Sequence, residues 1–190
     1  MLKLIKFLFV LCLGVFSCAC VNMVAVHELN SKASDYLQEG DVQAAISRLE
    51  ASIDLDGNIY ESRYNLASAY LQVGRNEEAL KNIEVAITLE KNEPIVFYTH
   101  AIASMNVARE IYEKNDKDGN KIQTTFATQE LAERAARRYV KLISDANKSF
   151  NRYTELAPNA EDTQEIYQLI KDNETKIEQK MQEFNISLEE

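Results

Sequence analysis

The feature that most constrains this chain is a repeat. Ala33-x-x-Tyr36-x-x-x-Gly40 recurs as Ala67-x-x-Tyr70-x-x-x-Gly74, and Ala45-x-x-x-Leu49 recurs as Ala79-x-x-x-Ile83, each pair offset by 34 positions. A unit of this size cannot bury its apolar face alone, so copies must stack and share one core. The landmark residues say how. Ala33 and Ala67 face Ala45 and Ala79 within each unit, and such small side chains let two helices approach to the short end of the interaxial range. Gly40 and Gly74 stand where the first helix must end, because glycine enters the left-handed conformation at little cost. Asp41 and Asn76 follow as expected N-caps of a second helix. Each unit reads as helix, tight turn, helix. Composition agrees: with 5 Gly, 2 Pro, 46% hydrophobic and 27% charged residues among 190, a disordered, collagen-like or turn-rich all-β chain is excluded.

A third unit begins at Pro94, a residue suited to the first helical turn, and Phe97 and Ala101 continue its first helix. The second-helix signature arrives some 33 residues late, as Ala146-x-x-x-Phe150-x-x-Tyr153-x-x-Leu156-x-Pro158. One interrupted repeat, 94–158, accounts for this, with an insertion at about 110–142. Apolar spacing continues to Tyr112, the polar stretch Asn115 to Asn120 breaks it, and Phe126, Leu131, Ala135, Tyr139 and Leu142 resume it. That pattern predicts a long, protruding helical hairpin. From Asn159, an expected N-cap with Glu161 and Asp162 in the first turn, Ile166, Ile170, Ile177, Met181 and Phe184 form a narrow apolar stripe. Residues 159–190 therefore read as a helix capping the open end of the stack, with an acidic tail.

Thirty-four residues is the period of the tetratricopeptide repeat, and the residues match as well. Leu66, Ala67, Tyr70, Gly74, Ala79, Ile83, Ala86 and Leu89 stand at that family's packing positions in repeat 60–93. The first copy, 26–59, departs at Lys32 and at Ser52, which replaces the usual alanine. The chain thus resembles a tetratricopeptide protein over 26–158. The resemblance implies an all-α, right-handed array of about three helical hairpins, the third interrupted, with a C-terminal capping helix. It also implies that a peptide or helix binds in a concave groove lined by the first helix of each unit. The family's groove positions fall on Asn30, Ser34, Leu37 and Gln38, on Tyr64, Asn65, Ser68, Leu71 and Gln72, and on Tyr98, Ile102, Met105 and Asn106. Tyr64 and Tyr98, one period apart, are expected along one ridge. Members that bind chaperone tails carry a lysine and asparagine clamp for a terminal carboxylate. Asn30, Ser34 and Tyr64 occupy those places here, which disfavours that ligand.

Residues 1–20 read as an export signal: Lys3 and Lys6 precede an apolar run from Phe7 to Phe16, followed by small residues. The run is short for a permanent membrane anchor. Val15-Phe16-Ser17-Cys18 resembles the bacterial lipobox, whose cysteine is lipidated and becomes the new N-terminus. Cys20, after Ala19, is the alternative, and Ser17 with Ala19 also suits ordinary signal cleavage. The only other cysteine is Cys12, so residues 21–190 can hold neither a disulfide framework nor a cysteine-ligated zinc. Net charge is −9, which disfavours nucleic acid as a partner.

The remaining motifs have plain readings. Arg134, Arg137, Arg138 and Lys141 form a basic cluster, but Glu130 with Arg134 and Glu133 with Arg137 are i,i+4 pairs of a solvated helix face. Asp116-x-Asp118-Gly119-Asn120 lacks a calcium loop's first and last ligands, where Lys114 and Thr125 stand. Three glycosylation acceptor patterns begin at Asn147, Asn173 and Asn185. His27 and His100 are the only histidines, and His100 falls at a packing position of the first helix. Together these leave no expected catalytic residue, metal, cofactor or small-molecule substrate. The function expected is that of a non-enzymatic adaptor in the bacterial cell envelope, lipid-anchored to a membrane and facing the periplasm or the outside, or else secreted. The alternative is a structural spacer or homo-oligomerisation module whose groove its own chain fills. If the Cys18 thiol is acylated, Cys18→Ala moves the protein from the membrane to the soluble fraction on cell fractionation. Unchanged partition assigns the anchor elsewhere.

Overall fold

The computed structural model describes residues 23–115 and 121–187. The export signal with Cys18 and Cys20, and the Asp116 to Asn120 turn, lie outside the described residues. Within them the chain forms seven helices and one small hairpin: α1 (23–39), α2 (Val42–Leu55), α3 (Tyr60–Gln72), α4 (Asn76–Leu89), α5 (Pro94–Tyr112), β1 (Glu113–Asn115), β2 (Lys121–Gln123), α6 (Gln129–Leu156) and α7 (Thr163–Phe184). The helices pack in succession, α3 with α4, α5 with α6 and α7 against α6, and α1 joins α2 through Ala33, buried in one core with Ala45, Ile46 and Leu49. This is the all-α array of helical hairpins that the repeat predicts.

The period extends to individual hydrogen bonds. Gly40 and Gly74 take φ of +81° and +73°. Each is followed by the same closure: Asp41 N donates to Tyr36 O at 2.8 Å, and Arg75 N to Tyr70 O at 2.9 Å. A Cβ at either glycine would meet no atom within 4 Å, so only the backbone angle calls for glycine there. The loops between units repeat too. Asn58 N donates to Asp56 Oδ1, and Asn92 N to Glu90 Oε1, both at 2.9 Å. In each loop an acidic side chain closes a turn on the backbone two residues ahead.

Ala33, Ala45, Ala67 and Ala79 are all buried in one core with Ile46, Leu49, Leu66, Tyr70 and Ile83. The third pair reproduces the contact in a separate core, where Ala101 and Ala146 are buried with Phe150, Ile166 and Ile170. One period after Gly40 and Gly74 stands Ala108, and with no glycine to end it α5 runs on to Tyr112. Opposite this overhang α6 has 28 residues, against 14 in α2 and in α4.

Three expectations are corrected. The tip of the insertion is not purely helical, because β1 and β2 pair antiparallel, Glu113 with Gln123 and Asn115 with Lys121. Nor does the hairpin stand free: Ile177 and Ile186 share a core with Ala108, Ala136, Val140 and Ile143, with Met181 and Phe184 packed against it, so α7 braces the overhang along its length. Two N-caps are also displaced. Asp41 caps α2, accepting from Ala44 N at 3.0 Å, but Arg75 holds the cap position of α4. Asn76 is instead drawn inward, where its Nδ2 donates to Glu110 Oε1 at 2.6 Å. The chain past Leu156 makes an extra turn, so α7 starts at Thr163 behind Asp162 and not behind Asn159; Asp162 accepts from Tyr153 Oη at 2.8 Å.

Ala67 is wholly buried, so Ala67→Leu has to push α3 from α4. The expected cost is about 1–3 kcal/mol, read as a lowered urea midpoint at unchanged m. An unaltered midpoint would remove this alanine from the helix contact.

Candidate functional site

The first helices of the three pairs, α1, α3 and α5, carry the predicted groove positions, and α3 touches α5 directly. On α1, Ser34 and Gln38 are exposed while Asn30 and Leu37 are half-buried. On α3, Tyr64, Asn65, Ser68 and Leu71 are half-buried and Gln72 is exposed. On α5, Tyr98, Ile102, Met105 and Asn106 are all half-buried. The central helix thus presents a mixed face of one tyrosine, one leucine and three small or amide side chains, each with part of its surface accessible.

Asn30 is held by the interior. Its Nδ2 lies 3.0 Å from Val26 O, 2.9 Å from Ser52 Oγ and 2.8 Å from Ser62 Oγ, and the two hydroxyls are 3.0 Å apart. One period later the same three positions are Tyr64, Ala86 and Val96. The junction between the first and second pairs is therefore polar, and the next is apolar. Ser52, which departs from the family's alanine, is a member of this network, and Asn30 is a structural residue before it is a binding one.

The two tyrosines pack on different cores. Tyr64 packs on the core that runs from α1 to Val96, Ala103 and Val107 of α5, whereas Tyr98 packs on the core shared with α6 and α7, its ring 5.9 Å from Phe150 and 5.4 Å from Tyr153 between centroids. Ile102 and Met105 border the same core, which holds Ile166 and Ile170 of α7. Asn173, wholly buried in the middle of the α7 stripe, places its Nδ2 3.7 Å from Met105 Sδ and 2.9 Å from Asn147 Oδ1. The α5 part of the expected groove is therefore already in contact with this chain's own last helix. Burial of Asn147 and Asn173 also closes two of the three glycosylation patterns to modification.

The basic cluster on α6 is a surface network. Arg134 Nη2 bonds Glu130 Oε1 at 2.6 Å, Lys141 Nζ bonds Asp145 at 3.0 Å, and Arg138 bonds Glu77 of α4. The expected Glu133 to Arg137 pair is replaced by a bond from Gln129 Nε2 to Glu133 at 3.1 Å. Such exposed pairs contribute little, about 0–1 kcal/mol each. Among the described residues no cluster of three His, Cys, Asp or Glu could hold a metal, and no helix is long and apolar enough to cross a membrane.

What the repeat did not reveal is a second concavity, about 560 Å³ in volume, between the end of α5, β2, α6 and α7. Met105 and Asn106, the last groove positions, are its first walls. The side chains beyond them come from the end of α5, the insertion, α6 and α7; apolar spacing marks Phe126, Tyr139 and Phe184 one by one, but nothing in the period brings them together.

The tetratricopeptide repeat family model matches residues 36–96. A search of curated proteins finds no match. Among solved structures, the chain is similar to the first tetratricopeptide domain of Spaghetti (RPAP3) bound to the HSP90 peptide SRMEEVD, with 17% identity and TM-score 0.55 over 80% of this chain and 92% of that one. It is similar also to the second such domain of human RPAP3 in complex with the HSP70 peptide SGPTIEEVD, at 17% identity and TM-score 0.55 over 80% and 98%. The Yersinia enterocolitica type III secretion chaperone SycD, in complex with a peptide of the translocator YopD, gives 14% identity and TM-score 0.54 over 79% and 92%. At these identities the likeness establishes the fold: a tetratricopeptide-type array.

His100 carries the clearest electrostatic signature of the third pair. Its Nδ1 lies 2.8 Å from Ser149 Oγ. Burial pushes the imidazole below its ordinary value of 6.5, opposed by the Asp145 carboxylate and reinforced by Lys141. A depressed histidine favours the neutral form in the fold, so its stabilisation is complete above about pH 6.5 and is lost as pH falls below it. Urea titrations between pH 7.5 and 5.5 are expected to show stability declining on acidification, and His100→Gln to flatten that decline. An identical slope in the variant would assign the titration to other groups.

Proposed function

We propose that this chain is a non-enzymatic protein-interaction scaffold of the bacterial cell envelope, anchored through a lipidated Cys18 and holding a peptide or helix against α1 and α3. The half-exposed row Tyr64, Asn65, Ser68 and Leu71 on α3 carries this reading. A tyrosine offers large contact area with a polar tip, and the neighbouring small and amide side chains offer hydrogen bonds without closing the surface. Two observations from similar folds support it, since RPAP3 and SycD domains are each seen with a peptide. The ligand differs from the chaperone tails of the RPAP3 complexes: this chain lacks the clamp lysine and asparagine, and Asn30, at one clamp position, bonds Ser52 and Ser62. Because α7 packs beside Tyr98, Ile102 and Met105, the binding surface narrows to the first two units.

That same contact favours a second reading, a self-associating spacer whose groove the chain fills in part. Site-specific photocrosslinking in envelope membranes separates the two. A benzoylphenylalanine at Ser68 or Gln72 is expected to yield an adduct with another protein, and one at the exposed Lys148 of α6 to yield none. Adducts only between copies of this chain would favour the spacer, and equal adducts from all three positions would remove the groove.

A further inference from the structure

The cleft beyond Asn106 has a composition of its own. Tyr112 meets Phe126 and Tyr139 edge to face, with centroids 5.6 and 5.4 Å apart, and Phe184 completes the aromatic lining. Three cations also line it: Arg109 from α5, and Lys176 and Lys180 from α7. Lys180 bonds Glu183 at 2.7 Å and stands 4.2 Å from the centre of the Tyr112 ring. The attraction of that aromatic face for a cation is thereby met within the chain. Arg109 is different: among the described residues it reaches only Asn106 Oδ1, at 3.4 Å, and Lys176 makes no ion pair. Two carboxylates line the cleft as well, Glu113 and Glu183, the latter bonded to Lys180, so its charged lining is three cations to two acids, a local excess of positive charge in a chain of net charge −9.

The hydroxyls agree. Tyr112 Oη and Thr124 Oγ1 are buried without a hydrogen-bond partner among the described residues, and both residues line the cleft. Burial holds the Tyr112 phenol up at about 12, so it remains a donor at neutral pH. A buried donor lacking an acceptor is a cost that an incoming carboxylate would relieve.

We propose that this cleft binds an acidic peptide segment, seating an aromatic side chain against Phe126, Tyr139 and Phe184 while its flanking carboxylates meet Arg109 and Lys176. A cationic ligand would face Arg109 and Lys176 and find the Tyr112 face occupied by Lys180. A nucleic-acid strand would meet the acidic remainder of the chain. The site does not depend on the α3 groove, since neither Tyr64 nor Ser68 lines it.

The probe is a fluorescein-labelled acetyl-Glu-Glu-Phe-Glu-Glu peptide, titrated with the chain and followed by fluorescence anisotropy. Saturable binding is expected, weakening at least about tenfold when Phe in the probe becomes Ala, and likewise in the Arg109→Gln, Lys176→Gln double variant. Both side chains are exposed, so the variant should keep its melting curve, and the charge-keeping Arg109→Lys, Lys176→Arg pair should restore binding. Binding should also fall as salt rises from about 0.05 to about 0.5 M. No saturation by about 1 mM, or affinity indifferent to the charge pair, overturns the proposal. Loss of binding in Ser68→Glu but not in the charge-pair variant would move the peptide to the groove.

Discussion

Helices in this chain approach through alanine. Ala33 and Ala45, then Ala67 and Ala79, are buried together where each first helix meets its partner. A larger side chain at any of them would hold the pair apart and change the angle at which the next pair can stack. Because the first helices set the accessible face, the spacing at these alanines decides which side chains share a surface. The third pair shows that the constraint is spatial. Ala101 meets Ala146 in the same core, although the partner comes some 33 residues later in the chain than the period prescribes. An insertion is tolerated there because it enters at the far end of the helices and leaves the small-residue contact intact.

That contact also explains what could be read without a structure. Residues fixed by local backbone geometry were legible: Gly40 and Gly74 at positive φ, Asp41 as an N-cap, and the apolar spacing of α5 to Tyr112. Residues whose role comes from a distant partner were not. Asn76 has the chemistry of a cap, yet Glu110, one period away, holds it in the interior. Asn173 reads as a glycosylation acceptor, yet it is the buried polar centre of an isoleucine stripe. The β1 and β2 strands are three residues each and depend on backbone pairing, so no alternating pattern announces them.

The two junctions between pairs make the same point about function. Asn30, Ser52 and Ser62 form a hydrogen-bonded triad where Tyr64, Ala86 and Val96 form an apolar one, yet the loops beside them close with the same 2.9 Å bonds. The backbone period therefore survives a complete change of chemistry at its interior. Family position identifies which residues share a face, and burial decides which of those are free to bind. By that measure Ser68 and Leu71 on α3 keep part of their surface accessible, whereas Asn30 is bound to its own scaffold.

A stacked array must end somewhere, and its last pair leaves an apolar face that water would penalise. In this chain α7 covers that face with Ile166, Ile170 and Ile177, and the cover has a second effect. Since α5 and α6 extend past the length of the earlier pairs, α7 must extend with them, and Met181, Phe184 and Ile186 pack along the overhang. Among the ends of α5, α6 and α7 and the β2 strand, about 560 Å³ stays open. The space that remains is lined by what each contributes at its end: aromatic rings from the insertion and from Phe184 of α7, Arg109 from α5, Lys176 and Lys180 from α7, and the carboxylates Glu113 and Glu183. The replacement of a helix-ending glycine by Ala108 thus does more than lengthen a helix. It displaces the end of the array from the groove and creates a surface that the repeat itself does not encode.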